Sequence, residues 1–180
     1  MPKYAALLRG INVGGHQKIA MADLRELLSG LGYSGVRTHL QSGNVVFTSR
    51  RGNPAKLARE IEKGIKDSLG LTVRCLVWSR DEVHAVLAGN PFRTGATEGS
   101  KMLVLFLSEQ PDPVLLAAHN PTELAPDRIR VGERVIYQWC PDGFIAAPSV
   151  GPFAEKHLKV AVTARNWNTV TRLGALLDEA

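Results

Sequence analysis

Apolar residues along this chain follow two rhythms, and each change of rhythm marks an element. A continuous apolar run opens at Tyr4 and closes at Arg9, which predicts a buried strand. In 'MADLRELLSGLG', Leu24, Leu27, Leu28 and Leu31 recur at helical spacing, so a helix with one apolar face is expected, stopped by Gly32. The stretch 'VRTHLQSGNVVFTS' holds two extended runs, 36–40 and 44–48, around Gln41-Ser42-Gly43. Gly43 and Asn44 readily take positive φ, so the two runs read as a hairpin. Asn53 followed by Pro54 reads as an N-cap and first helical residue, with Leu57, Ile61, Ile65 and Leu69 as the apolar face and Gly70 as the end. In 'LTVRCLVWS', Val73, Cys75 and Val77 share one face of a further strand. Residues 4–78 thus spell strand, helix, strand, strand, helix, strand, the split-βαβ order of a ferredoxin-like unit.

A capping box, Ser79-Arg80-Asp81-Glu82, then opens a short helix with Val83, Val86 and Leu87 on its apolar side and Gly89 after it. The Pro/Gly/Ser/Thr-rich 'NPFRTGATEGS' reads as a linker. Beyond it the order repeats less regularly. 'KMLVLFLS' is a strand, Asp112-Pro113 caps a short helix through His119, and 'DRIRVGERVIYQWC' alternates about Gly132-Glu133 as a second hairpin. Residues 153–158 read as helical and 160–163 as extended, and 'NWNTVTRLGALL' aligns Trp167, Val170, Leu173 and Leu177 on a closing helix. The expected fold is α+β: two ferredoxin-like (βαββαβ) subdomains packed together, with mostly antiparallel sheets, as a duplication would give. The expected division is 1–89 with the extra short helix, a linker at 90–100, and a second subdomain at 101–180.

Composition narrows the function classes. Among 180 residues, 44% are hydrophobic, enough for a buried core, and no apolar run is long enough to span a bilayer. The N-terminus carries no signal-peptide pattern. Cys75 and Cys140 lie far apart in strand-like runs, which argues against a zinc site or disulfide framework and for a reduced, cytoplasmic setting. The five histidines show no metal-ligand spacing, so neither metal nor cofactor is expected. A net charge of +5 attracts anions, but the densest basic pair is Arg50-Arg51, too little for a nucleic-acid tail.

Candidate chemistry concentrates in three polar segments. In the split-βαβ order the end of the first strand and the turn of the first hairpin lie at one end of the sheet. Arg9, Gly10, Ile11 and Asn12 would therefore come close to Gln41, Ser42, Gly43 and Asn44, and Gly14 and Gly15 follow in the same loop. Such side chains and backbone N–H groups suit a small anion. A phosphate-binding P-loop is excluded, because 'GINVGGHQ' puts His16 and Gln17 where lysine and a hydroxyl are required. An RNA-stacking sheet is disfavoured, since only Tyr4 and Phe47 are aromatic on the central strands. No nucleophile has a base and orienting partner in pattern, so no enzyme is legible, and Asp23 and Glu26 read as first-turn carboxylates. The third segment is 'TARNWNT'. There Asn166 or Thr163 would cap the last helix, while Arg165, Asn166 and Asn168 beside Trp167 would also suit an anion.

Three stretches in this order, 'ALLRGINVGG', 'LQSGNVVF' and 'TARNWNTVTRL', resemble the bacterial domain-of-unknown-function family DUF1697 over essentially the whole chain. The resemblance implies a compact α+β protein of two ferredoxin-like subdomains in the bacterial cytoplasm, and implies no activity. Its signature falls on the same segments. The leading expectation is a small anionic or phosphate-bearing ligand at a rim formed by Arg9, Gly10, Asn12, Gly14, Gly15, Ser42, Gly43, Asn44, Arg165 and Asn166. The alternatives are a nucleic-acid-binding module acting through the basic surface, and an interaction protein in which these segments only fix loop and cap geometry.

Overall fold

The structure, a computed structural model, describes residues 1–50, 52–92 and 98–179; the middle of the expected linker, 93–97, and Arg51 of the basic pair lie outside the described residues. The first half forms β1 (Lys3–Leu8), α1 (Met21–Gly30), β2 (Ser34–His39), β3 (Asn44–Thr48), α2 (Pro54–Leu69) and β4 (Cys75–Ser79). Its strands lie in the order β2-β3-β1-β4, each antiparallel to its neighbours. Tyr4 stands opposite Phe47 and Leu7 opposite Asn44.

Alternation of side chains decides the core. Tyr4, Ala6 and Leu8 share a face with Val45, Phe47, Cys75 and Val77, and α1 and α2 cover it with Leu24, Leu28, Leu57, Ile61 and Ile65. Each large apolar side chain buried there contributes about 1.5–3 kcal/mol. Phe47 stacks on Tyr33 with ring centroids 4.6 Å apart and tilts against Tyr4 at 5.7 Å. Both aromatics of the central strands are thus core, and neither is open to a stacked base. The ends of α2 follow the sequence: Asn53 Oδ1 accepts the Lys56 N–H at 3.3 Å, and the Gly70 N–H closes on Lys66 O at 3.0 Å.

Two strands differ from expectation. β4 begins only at Cys75, opposite Leu8 at the end of β1, although Val73 is still buried. β2 begins two residues early, at Ser34, with a bulge between Ser34 and Arg37. The capping box ahead of α3 (Arg80–Ala88) forms in both directions. Ser79 Oγ accepts the Glu82 N–H at 3.1 Å, and Glu82 Oε2 accepts the Ser79 N–H at 2.8 Å.

The second half repeats the strand order with shorter connections. It runs through β5 (Met102–Leu107), α4 (Pro113–Ala118), β6 (Ile129–Val131), β7 (Val135–Trp139), α5 (Val150–His157), β8 (Val162–Asn166) and α6 (Trp167–Asp178). The sheet order is β6-β7-β5-β8, again antiparallel. Leu105, Leu107, Ile129, Ile136, Ala154, Leu158 and Val162 build its core. Tyr137 donates its hydroxyl to Val86 O at 2.7 Å, and burial pushes its phenol up to about 12. The fold is α+β with two four-stranded antiparallel sheets in two ferredoxin-like subdomains. The chain divides into two compact units, Met1–His84 with Leu173–Ala180, and Ala85–Arg172. The second half of α6 thus belongs to the first unit, where Leu176 and Leu177 lie beside Lys3, Val46 and Thr48, and Arg37 and Lys3 hold Glu179.

Candidate functional site

Where β1 leaves the sheet, backbone hydrogen bonds bring its two neighbours alongside. The Leu8 N–H donates to Gly43 O and the Arg9 N–H to Arg74 O, both at 2.9 Å. Arg9 therefore sits between the β2–β3 turn and the residue that leads into β4. Gly43 is held at φ +89, and a β-carbon there would lie 2.7 Å from Ile11 Cδ1 and 2.9 Å from Leu8 Cβ. The turn packs so closely on the β1–α1 loop that only glycine fits. Leu40, and not Asn44, is the other positive-φ residue of this turn, at φ 63.

The glycine pair does not wrap a helix N-terminus. Gly14 and Gly15, at φ 59 and 77, occupy the centre of a two-residue turn closed by the His16 N–H on Val13 O at 3.1 Å. One rung further, the Asn12 N–H reaches Gln17 O at 3.2 Å. The result is a miniature hairpin of the left-handed turn type, exposed from Val13 to Lys18, while α1 starts separately at Met21. Asn12 latches its base. Asn12 Oδ1 accepts the Ile19 N–H at 2.9 Å, and its Nδ2 donates to Ile19 O at 3.0 Å and to Gln41 O at 2.7 Å. Asn44 is fully buried and donates to His39 O at 2.7 Å and to Ser42 Oγ at 3.1 Å. The two asparagines spend these amide hydrogen bonds within the loops, so they shape the rim.

The exposed rim residues are Arg9, Gly10, Gly14, Gly15 and Ser42, joined by His16, Lys18 and Arg74. None of His16, Lys18 and Arg74 was among the expected site residues, and Arg74 lies farthest from the expected segments in sequence. The strand order was the available signal, since β4 beside β1 places the residue before β4 next to the residue after β1. Arg74 Nε lies 3.9 Å from Glu62 Oε2, which also accepts the Cys75 N–H at 2.8 Å.

The third segment lies in the other unit. Arg165 is a strand residue, opposite Val104 in β8, and not a helix N-terminal one; its Nη1 donates to Ala164 O at 2.9 Å. Asn166 caps α6 by accepting the Thr169 N–H at 2.9 Å. Thr163, the other candidate cap, is buried in β8, and Trp167 is only half-buried. The second unit also stacks His119 on His157, with ring centroids 4.5 Å apart and Phe153 against the latter at 4.7 Å. Burial, then the charges of His119, Lys156 and Lys159, hold the His157 imidazole below its ordinary value. Cys75 and Cys140 are both buried, and neither is in a disulfide. Among the described residues no group of three or more His, Cys, Asp or Glu could hold a metal ion, and no helix is long and apolar enough to cross a membrane.

No curated protein matches the chain. Its structure is similar to that of a conserved bacterial protein from Streptococcus pneumoniae, with a TM-score of 0.69 and 23% identity over 98% of this chain and 99% of that one. The family model described as a protein of unknown function, DUF1697, matches residues 1–137. The chain belongs to the DUF1697 family.

Proposed function

We propose that the rim of the first unit binds a small anionic, phosphate-bearing molecule. The observation that carries this reading is the position of Arg9. Its N–H is tied to Arg74 O beside the Gly43 turn, next to the exposed Gly10 and ahead of a hairpin whose exposed Gly14 and Gly15 carry no side chain to keep an oxyanion from the backbone. Arg9 supplies a bidentate donor, Arg74 and Lys18 add positive charge, and Asn12 and Asn44 hold the loops at fixed spacing. The Glu62 carboxylate near Arg74 favours a ligand that approaches from the Arg9 side.

Calorimetry with inorganic pyrophosphate tests the assignment. The intact chain is expected to bind it, and Arg9→Ala to weaken binding about 10-fold to 100-fold or more, the loss of its charge-assisted contact. Equal affinity in the two proteins, with unchanged melting temperature, refutes the reading. Nucleic acid as the anion is favoured only by the exposed basic side chains. It requires affinity for a duplex or single strand to fall by powers of ten as salt rises.

A further inference from the structure

The second unit holds a cavity of about 190 Å³ beneath the loop from Asp142 to Pro148, on the side of β7 where that strand ends. Trp139, Cys140, Ala125, Ala146, Ala147 and Pro148 make it apolar, and Arg128 with Asp142 stands at its edge. The frame around it is tied by backbone and amide hydrogen bonds. The Trp139 N–H donates to Arg128 O and the Cys140 N–H to Lys101 O, both at 2.8 Å, and Gln138 Nε2 donates to Pro148 O at 2.9 Å.

We propose that this cavity is a binding site for a small aromatic monocarboxylate, independent of the rim in the first unit. Size sets the first limit: a closed apolar cavity of about 150 Å³ takes one benzene ring. A volume of 190 Å³ therefore admits a ring with one small substituent and excludes a nucleoside. Lining sets the second, because Trp139, three alanines and Pro148 offer faces and methyl groups to a ring. Charge sets the third. Arg128 is the cation on the wall, and its guanidinium meets Asp142 Oδ2 only at 3.3 Å, with the Arg128 side chain half exposed and that of Asp142 mostly exposed. Such a pair is held weakly, so a ligand carboxylate can replace Asp142 on Arg128 with both oxygens.

Two further features agree. Phe144 and Ile145 lie between the lining residues Gly143 and Ala146, and Ile145 is wholly exposed. A ring in the cavity gives those side chains apolar surface to close on. The Cys140 thiol is pushed up to about 11 by burial, so it stays protonated and the ligand is held without a covalent bond.

Benzoate is the probe, titrated into the full-length chain and followed by amide NMR and calorimetry. A dissociation constant of about 0.1–1 mM is expected for a ligand of this size. Its shifts should be confined to residues 125–148. Arg128→Gln should weaken benzoate about 10-fold or more. Asp142→Asn, which removes the competing carboxylate, should tighten it up to about fivefold. Ala147→Phe, which fills the cavity, should abolish binding, and pyrophosphate should leave these resonances unmoved. The inference is overturned if benzyl alcohol binds as tightly as benzoate, or if a folded Arg128→Gln protein keeps full affinity. It is also overturned if benzoate shifts residues of the first unit instead. Arg128→Lys provides the check on folding, since it keeps the charge and should retain part of the affinity. Arg9→Ala, which tests the rim, should leave benzoate binding unchanged.

Discussion

Replacing Gly43 with alanine tests the close approach of the β2–β3 turn to the β1–α1 loop. Two costs add. An L-residue held at positive φ costs about 1–2 kcal/mol. The new methyl would also stand 2.9 Å from Leu8 Cβ, which is fixed to β1, and 2.7 Å from Ile11 Cδ1, which can swing aside. Overpacking of this kind costs typically 1–3 kcal/mol, so the sum is about 2–4 kcal/mol with Ile11 relaxing. Gly10→Ala is the control. Gly10 has the same kind of backbone, at φ +69, but nothing within 4 Å of its β-carbon, so only the backbone term applies. Urea unfolding followed by the fluorescence of Trp78, in a Trp139→Phe, Trp167→Phe background, reports on the first sheet. With a slope of about 1–3 kcal/mol per molar urea, Gly43→Ala should lower the midpoint by about 1 M or more, and Gly10→Ala by clearly less. Equal shifts in the two variants would refute the steric reasoning and leave φ alone as the cost.

Asn12→Ala removes three side-chain hydrogen bonds and should destabilise the first unit by about 2–3 kcal/mol, with faster exchange of the Ile19 amide in hydrogen-exchange NMR. Ser79→Ala and Glu82→Ala should each cost about 1 kcal/mol, and the double mutant less than their sum, because each breaks the same reciprocal cap; chemical denaturation of the four proteins measures it. Since His157 is held below its ordinary value of 6.5, the unfolded chain takes up that proton first as pH falls. Its contribution to stability is complete above about pH 6.5 and is lost progressively below it; melting curves from about pH 8 to 5 should show the decline, and His157→Gln should lessen it.

Much of the backbone plan is written locally in the chain. The Leu24–Leu28 spacing, the Asn53-Pro54 start and the Ser79/Glu82 box each involve residues within a turn or two of one another, so their hydrogen bonds and apolar faces follow from sequence distance alone. The split-βαβ order followed from counting those elements, and with it the meeting of the Arg9 loop and the Gln41–Asn44 turn. What only the tertiary structure decided is how each polar group is spent. Asn12 and Asn44 carry the same amides whether they face a ligand or a carbonyl, and it was the approach of Gln41 O, Ile19 and His39 O that committed them to the loops. Arg165 became a strand residue because β5 offers ladder partners as far as Leu103, and so delays the start of α6 to Trp167. Arg74 beside Arg9, His119 on His157 and the cavity beside Arg128 join residues far apart in sequence, and no periodicity records such a pairing. The sequence by itself determined the elements and their order, because those depend on neighbours along the chain. The sites depend on neighbours in space, and the packing of the sheets selected those.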